Sequence, residues 1–123
     1  MPRHLEVSPD GTYIVLTIKG DIDRKLAMRY NMEAHALGKQ LDIKCYLVDA
    51  TESRNIETTF DNYSFAYDDM ASAPEIDRSA RVALLVSPGD HSHDFVETVS
   101  RNAGLDVTLF IDRRLAEAHL RSR

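Results

Sequence analysis

The chain has 123 residues, of which 43% are hydrophobic and 28% charged, with no Trp. That length and balance suit one globular domain with its own core and exclude a disordered, repetitive or low-complexity chain. A net charge of −5 removes the electrostatic drive toward nucleic acid or an anionic membrane surface, so a protein or a small molecule is the expected partner.

Cys45 is the single cysteine, so an internal disulfide cannot form, which suits a reducing cytoplasm. The run Met1-Pro2-Arg3-His4-Leu5-Glu6 has no apolar stretch behind its basic residues. Neither a secretory signal nor a transmembrane span is expected, and the expected location is cytoplasmic.

Leu5-Glu6-Val7 alternates as a short strand. Ser8-Pro9-Asp10-Gly11 is a turn, with Pro presetting one φ and Asp-Gly supplying local hydrogen bonding and a free φ. Tyr13 to Ile18 is β-branched and almost wholly apolar, which predicts a central strand in a hairpin with the first. Lys19 to Asp23 is expected to break that strand, with Asp21 or Asp23 capping a helix from about Arg24 to Gln40. Leu26, Tyr30, Ala34, Leu37 and Leu41 recur at helical spacing and predict its buried face.

Ile43 to Ala50 predicts the next strand. A helix lies between it and the previous one, so the pair should be parallel with a right-handed crossover. Thr51 to Glu57 reads as a polar loop. A second helix is expected from about Thr58, with Ile56, Phe60, Tyr63, Tyr67 and Met70 as its apolar stripe, ending at Ala71-Ser72-Ala73-Pro74. Ala80 to Ser87 predicts a third crossover-linked strand. Asp90 or Ser92 should cap a helix from about His93 to Asn102, with Phe95, Val96, Val99 and Ala103 inward and Gly104 as its stop. Asp106 to Ile111 is a last strand. Arg113 to Leu120 is a last helix, with Leu115, Ala116 and Leu120 inward. The order β-β-α-β-α-β-α-β-α predicts an α/β fold: a mixed, mainly parallel five-stranded sheet covered by helices, in one domain over 1–123.

Ligands of such sheets sit beyond the carboxyl ends of the strands. A phospho-aspartate receiver would use Asp49 as acceptor, Asp21 and Asp23 as an acidic pair, and Ser87 as a hydroxyl. The Lys it needs after the last strand is replaced by Asp112-Arg113, so Asp49 reads as a carboxylate bracing its loop. His91-Ser92-His93, with Asp90 and Asp94, could offer two imidazoles to Zn, but further ligands are wanting, and exposed polar residues at a helix start are the preferred reading. Pro88-Gly89-Asp90 leads into a helix N-terminus that could attract an anion, without a Gly-rich loop or a Lys-Ser/Thr pair to support it. Cys45 reads as a buried small hydrophobe. His35 and His119 read as surface or partly packed residues, and Arg78, Arg81, Arg113 and Arg114 as solvated charges. No nucleophile elbow surrounds any Ser. No catalytic, metal or cofactor residue is assigned.

Gly20-Asp21-Ile22-Asp23 after an apolar strand, then a helix, then Leu47-Val48-Asp49 resembles the STAS domain of anti-sigma-factor antagonists. Ala80 to Val86, a helix, Val107-Thr108-Leu109-Phe110 and a short terminal helix resemble the SpoIIAA-like family of small bacterial proteins. The resemblance runs from about Tyr13 to Leu120 and rests on hydrophobic pattern. It implies a non-enzymatic regulatory or protein-interaction module, with a protein partner or self-association as a homodimer. In STAS antagonists an Asp-Ser-Ser-Gly motif follows this strand, and its first Ser is phosphorylated by a partner kinase. Glu57-Thr58-Thr59-Phe60 falls at that place, with Thr for both Ser and Phe60 for Gly, and Thr58 or Thr59 as a plain helix cap is the preferred reading. The expected partner surface is therefore Glu57, Thr58, Thr59, Phe60, Tyr63 and Tyr67. The family also resembles the CRAL-TRIO architecture, which implies, as the alternative, a small apolar ligand or lipid held under the second helix, where Phe65 lies off the stripe.

Overall fold

The computed structural model describes residues 3–56, 65–70 and 72–122, with the side chains of Ala66 and Tyr67 outside that description. The first hairpin forms as its turn chemistry dictates. Ser8 Oγ accepts from the backbone N–H groups of Thr12 and Tyr13, and Asp10 accepts from Ser8 Oγ at 2.8 Å. Gly11 takes the positive φ of 73° that the turn requires. Strand β1 (Arg3–Val7) thereby runs antiparallel to β2 (Ile14–Ile22).

Helix α1 (Arg24–Leu41) opens on Asp23, whose carboxylate accepts from Leu26 N–H at 2.9 Å. It leads to β3 (Cys45–Asn55), parallel to β2. A short π-helical segment, Phe65–Met70, precedes β4 (Arg81–Leu85). Helix α2 (Asp94–Asn102), strand β5 (Asp106–Phe110) and helix α3 (Arg113–Arg121) complete the order. The strands lie side by side in chain order, β1 to β5, parallel except for β1.

Period-two alternation divides the core between the two faces of the sheet. Ile14, Leu16, Ile18, Tyr46, Val48 and Leu84 pack toward Tyr30 and Ala34 of α1. Tyr13, Val15, Leu47, Ala83 and Leu85 pack toward Ala116 and Leu120 of α3. A smaller cluster of Met70, Ile76 and Leu105, with Met28 and Met32 of α1 against it, ties the π-helical segment to the rest.

Several expectations are corrected. β2 does not stop at Ile18; it passes through Lys19 and Gly20, at φ 85°, as far as Ile22. β3 likewise continues through the residues expected as a loop, because 52–55 pair with 19–22. The register advances by two residues on β2, from Thr17 to Lys19, and by three on β3, from Asp49 to Glu52. That one extra residue is a β-bulge. Neither Asp90 nor Ser92 caps α2, which follows His93 with no side-chain cap bond. Leu41, Phe95 and Leu115 are exposed, not inward, at 44%, 39% and 60%. Of the second helix, Phe65–Met70 is π-helical, and Thr58 to Ser64 lies outside the described residues.

Candidate functional site

The bulge in β3 sets the geometry at the carboxyl end of the sheet. Before it, Tyr46, Val48 and Ala50 face α1. After it the parity changes, so Ser53 and Asn55 take up that face while Glu52 and Arg54 are exposed. Their partners across the ladder are Gly20 and Ile22.

A half-open cavity of about 80 Å³ lies on this face. Its floor is aliphatic, made by Ile18 and Ile22 of β2, Val48 and Ala50 of β3, and Leu84 of β4. Ala27 of α1, Val96 of α2 and Phe65 of the π-helical segment wall it. Polar groups occur at the mouth, and the ion-forming ones are already engaged. Asp23 caps α1. Arg24 donates two hydrogen bonds to Asp69, at 2.8 and 3.0 Å. Asn31 Nδ2 donates to the Ala27 carbonyl at 2.7 Å. His93 lines the cavity and is 5% exposed. Its Nε2 lies 3.4 Å from the Ser53 carbonyl and 3.8 Å from the Asp90 carboxylate.

Ser53 is 6% exposed, and its Oγ finds no hydrogen-bond partner among the described residues. By strand parity it belongs to the α1-facing side of β3, between Ala50 and Asn55, but it is not among the residues that line the cavity. A buried hydroxyl left unpaired costs about 1–3 kcal/mol. The π-helical turn that brings Phe65 to the same cavity is a rare backbone form that recurs at functional sites.

The other candidates resolve differently. His91 and His93 diverge: His91 is exposed and pairs with Asp94 at 3.0 Å, while His93 turns inward. His93 is thus not the exposed residue expected at a helix start. At the α2 N-terminus the first turn holds Asp94 and Glu97, whose charges oppose an anion there. Glu97 accepts from Leu109 N–H at 2.6 Å. Burial would raise the Asp90 carboxyl, but hydrogen bonds from Ser92, with His93 and Arg54 nearby, hold it below the ordinary carboxylate range.

Asp49 braces its loop, accepting from Thr51 N–H at 3.0 Å and Thr51 Oγ1 at 2.7 Å. It also binds Arg113 at 3.1 Å, and the Arg113 side chain stays exposed, at 45%, as expected of a solvated charge. Arg81 is likewise engaged, with Asp106 and the His119 carbonyl. Cys45 is buried, 3.7 Å from the Leu120 carbonyl. His35 is 2% exposed rather than at the surface. It stacks on Tyr46 with ring centroids 4.5 Å apart, and its Nδ1 accepts from Asp77 N–H at 3.0 Å. Glu57, Thr58, Thr59, Phe60 and Tyr63 lie outside the described residues, and of Tyr67 only its place in the π-helical segment is described.

Asn31 and Asn55 line the cavity and escaped sequence reasoning as site residues.

No family model and no curated protein sequence matches the chain. Solved structures do match. An uncharacterized DUF3478-family protein with a SpoIIAA-like fold, from Shewanella loihica PV-4, is 19% identical, with a TM-score of 0.51 over 96% of this chain and 91% of that one. The anti-sigma factor antagonist SpoIIAA in its unphosphorylated form is 13% identical, with a TM-score of 0.57 over 98% and 99%. The five-stranded mixed sheet, with its helices on both faces, is a SpoIIAA-like fold.

Proposed function

We propose that the chain is a non-enzymatic regulatory module that docks a protein partner, or a second copy of itself, through the surface from Glu57 to Met70. The observation that carries this reading is the likeness of fold, along nearly the whole chain, to an anti-sigma factor antagonist. A protein of that kind works by occupying another protein. Glu57, Thr58, Thr59, Phe60, Tyr63 and Tyr67 supply one charge, two threonine hydroxyls and three aromatic rings, and aromatic anchors are the usual carriers of interface energy. Phosphate on Thr58 or Thr59 would add charge beside Phe60 and oppose an apolar contact. No helix among the described residues is long and apolar enough to cross a membrane, and a cytoplasmic site of action belongs to the same proposal.

The test is crosslinking of the chain in its host, with Phe60→Asp, Tyr63→Asp and Thr58→Glu variants carried in parallel. The expected result is one recurrent crosslinked protein, or a crosslinked dimer, lost in the two Asp variants and weakened by Thr58→Glu. Recovery of the same species from all variants would overturn the docking surface. Phosphate mapping after incubation with host kinases tests the switch, which fails if Thr58 and Thr59 stay unmodified.

A further inference from the structure

We infer that the cavity between α1, α2 and the carboxyl end of β2–β4 is a binding site for a small uncharged molecule with a short alkyl body. The inference does not rest on the docking reading: the two share Phe65, but small probes test the cavity and the Phe60 and Tyr63 variants test the docking surface, so either can fail alone.

Size comes first. About 80 Å³ is several times the space one water needs, and roughly half of a cavity that accepts benzene. A chain of a few carbons fits, and a longer molecule fits by its end, since the cavity is open on one side. Polarity comes next. Ile18, Ile22, Val48, Ala50 and Leu84 present only methyl and methylene groups. Such a floor is matched by an alkyl body and holds water poorly.

Charge excludes ions. Asp23 and Arg24 at the mouth carry opposite signs and are occupied, Asp23 by the Leu26 N–H and Arg24 by Asp69. An ionised ligand would leave water without a free counter-charge from this pair.

The experiment uses four probes of one chain length: butan-1-ol, butan-2-one, butyrate and butylammonium. Each is titrated into the 15N-labelled full chain, and amide shifts are followed. The two neutral probes are expected to give saturable shifts at Ile22, Val48, Ala50 and Ser53, with the charged probes at least tenfold weaker. Ala27→Leu, which fills the wall from the partly buried face of α1, should weaken the neutral probes at least tenfold. Should Ala27→Leu fail to fold, Val96→Phe fills the same space from α2. Shifts that do not saturate, that spread over the surface, that survive filling of the cavity, or that are equal for charged and neutral probes would overturn the site.

Discussion

Arg24 grips Asp69 through two nitrogens, Nε to Oδ2 at 2.8 Å and Nη2 to Oδ1 at 3.0 Å. The pair joins the first turn of α1 to the π-helical segment that carries Phe65 over the cavity. Its side chains are 35% and 21% exposed, so water screens it only in part. Two parallel bonds in fork geometry give direction as well as attraction. Asp69→Asn keeps the shape and loses the charge. It should lower global stability by only about 1 kcal/mol, yet markedly speed amide exchange over 65–70. Arg24→Lys should do the same, because an ammonium cannot make the fork. Hydrogen exchange followed by mass spectrometry checks both. Unchanged exchange in 65–70 would show that the segment is held by Met70 and its apolar neighbours instead.

His35 predicts a pH dependence. Burial holds its pKa down at about 4, with Asp77 pulling the other way and Lys39 adding to the depression. The unfolded chain takes up that proton near pH 6.5. Between those values the unfolded state binds more protons than the folded one, so stability rises with pH and levels off above about 6.5. Acidification from pH 6.5 to pH 4 should therefore cost up to about 3 kcal/mol from this one ring. Asp77, held low by its Ser79 hydrogen bond against the opposing effect of burial, contributes in a separate and more acidic window, below its ordinary value of 3.8. Urea unfolding at steps between pH 4 and 7 gives the slope. His35→Phe should flatten it while lowering stability at pH 7 by about 1 kcal/mol through loss of the bond from Asp77 N–H. A slope that His35→Phe leaves unaltered would assign the dependence to other groups.

Legibility followed the range of the interactions. The strands paired on both sides were read correctly because their apolar runs, such as Val82 to Leu85, reflect burial on both faces. Asp23 was legible as a cap because its effect reaches only three residues along the chain. The far ends of β2 and β3 were not. The β3–β4 ladder ends at Asp49↔Leu85, so Glu52 to Asn55 pair with β2 alone and carry polar residues that read as a loop. The bulge then reversed parity, and no local pattern announces that. His35 needed Asp77, 42 residues away, and Arg113 needed Asp49, 64 residues away. The cavity draws on both strand ends, two helices and the segment at Phe65, which explains why its lining was not legible beyond the carboxyl edge and an apolar site near Phe65.

Asp49 predicts a stability effect of its own. One carboxylate ends the apolar part of β3, holds Thr51 by two bonds, and reaches Arg113 on α3. Its side chain is 14% exposed. Asp49→Ala strips the Thr51 N–H and the Arg113 guanidinium of an acceptor together, which should cost about 1–3 kcal/mol. Asp49→Asn keeps one acceptor for Thr51 and should cost less. Thermal unfolding of the two variants checks the order. Equal losses would mean that the charge toward Arg113, rather than the Thr51 bonds, carries the effect.

Gly38 predicts a loss where helix propensity predicts a gain. Replacing Gly by Ala inside a helix ordinarily stabilises by about 1 kcal/mol. Here a Cβ on Gly38 would collide with the Tyr46 hydroxyl and stand 2.8 Å from the Ile43 carbonyl oxygen. The missing side chain is what lets α1 close over Tyr46, which in turn stacks on His35. Burial pushes the Tyr46 phenol up to about 12, so it remains protonated over the working range, with its hydroxyl 3.4 Å from the Ile43 carbonyl. Gly38→Ala should therefore destabilise by about 1–3 kcal/mol, the scale of overpacking in a core. In a Tyr46→Phe background the hydroxyl is gone while the Ile43 carbonyl stays, so the same substitution should cost less without becoming favourable. A double-mutant cycle in urea measures that coupling. Additive losses would mean that α1 shifts as a body and that the Gly38–Tyr46 contact does not set its position.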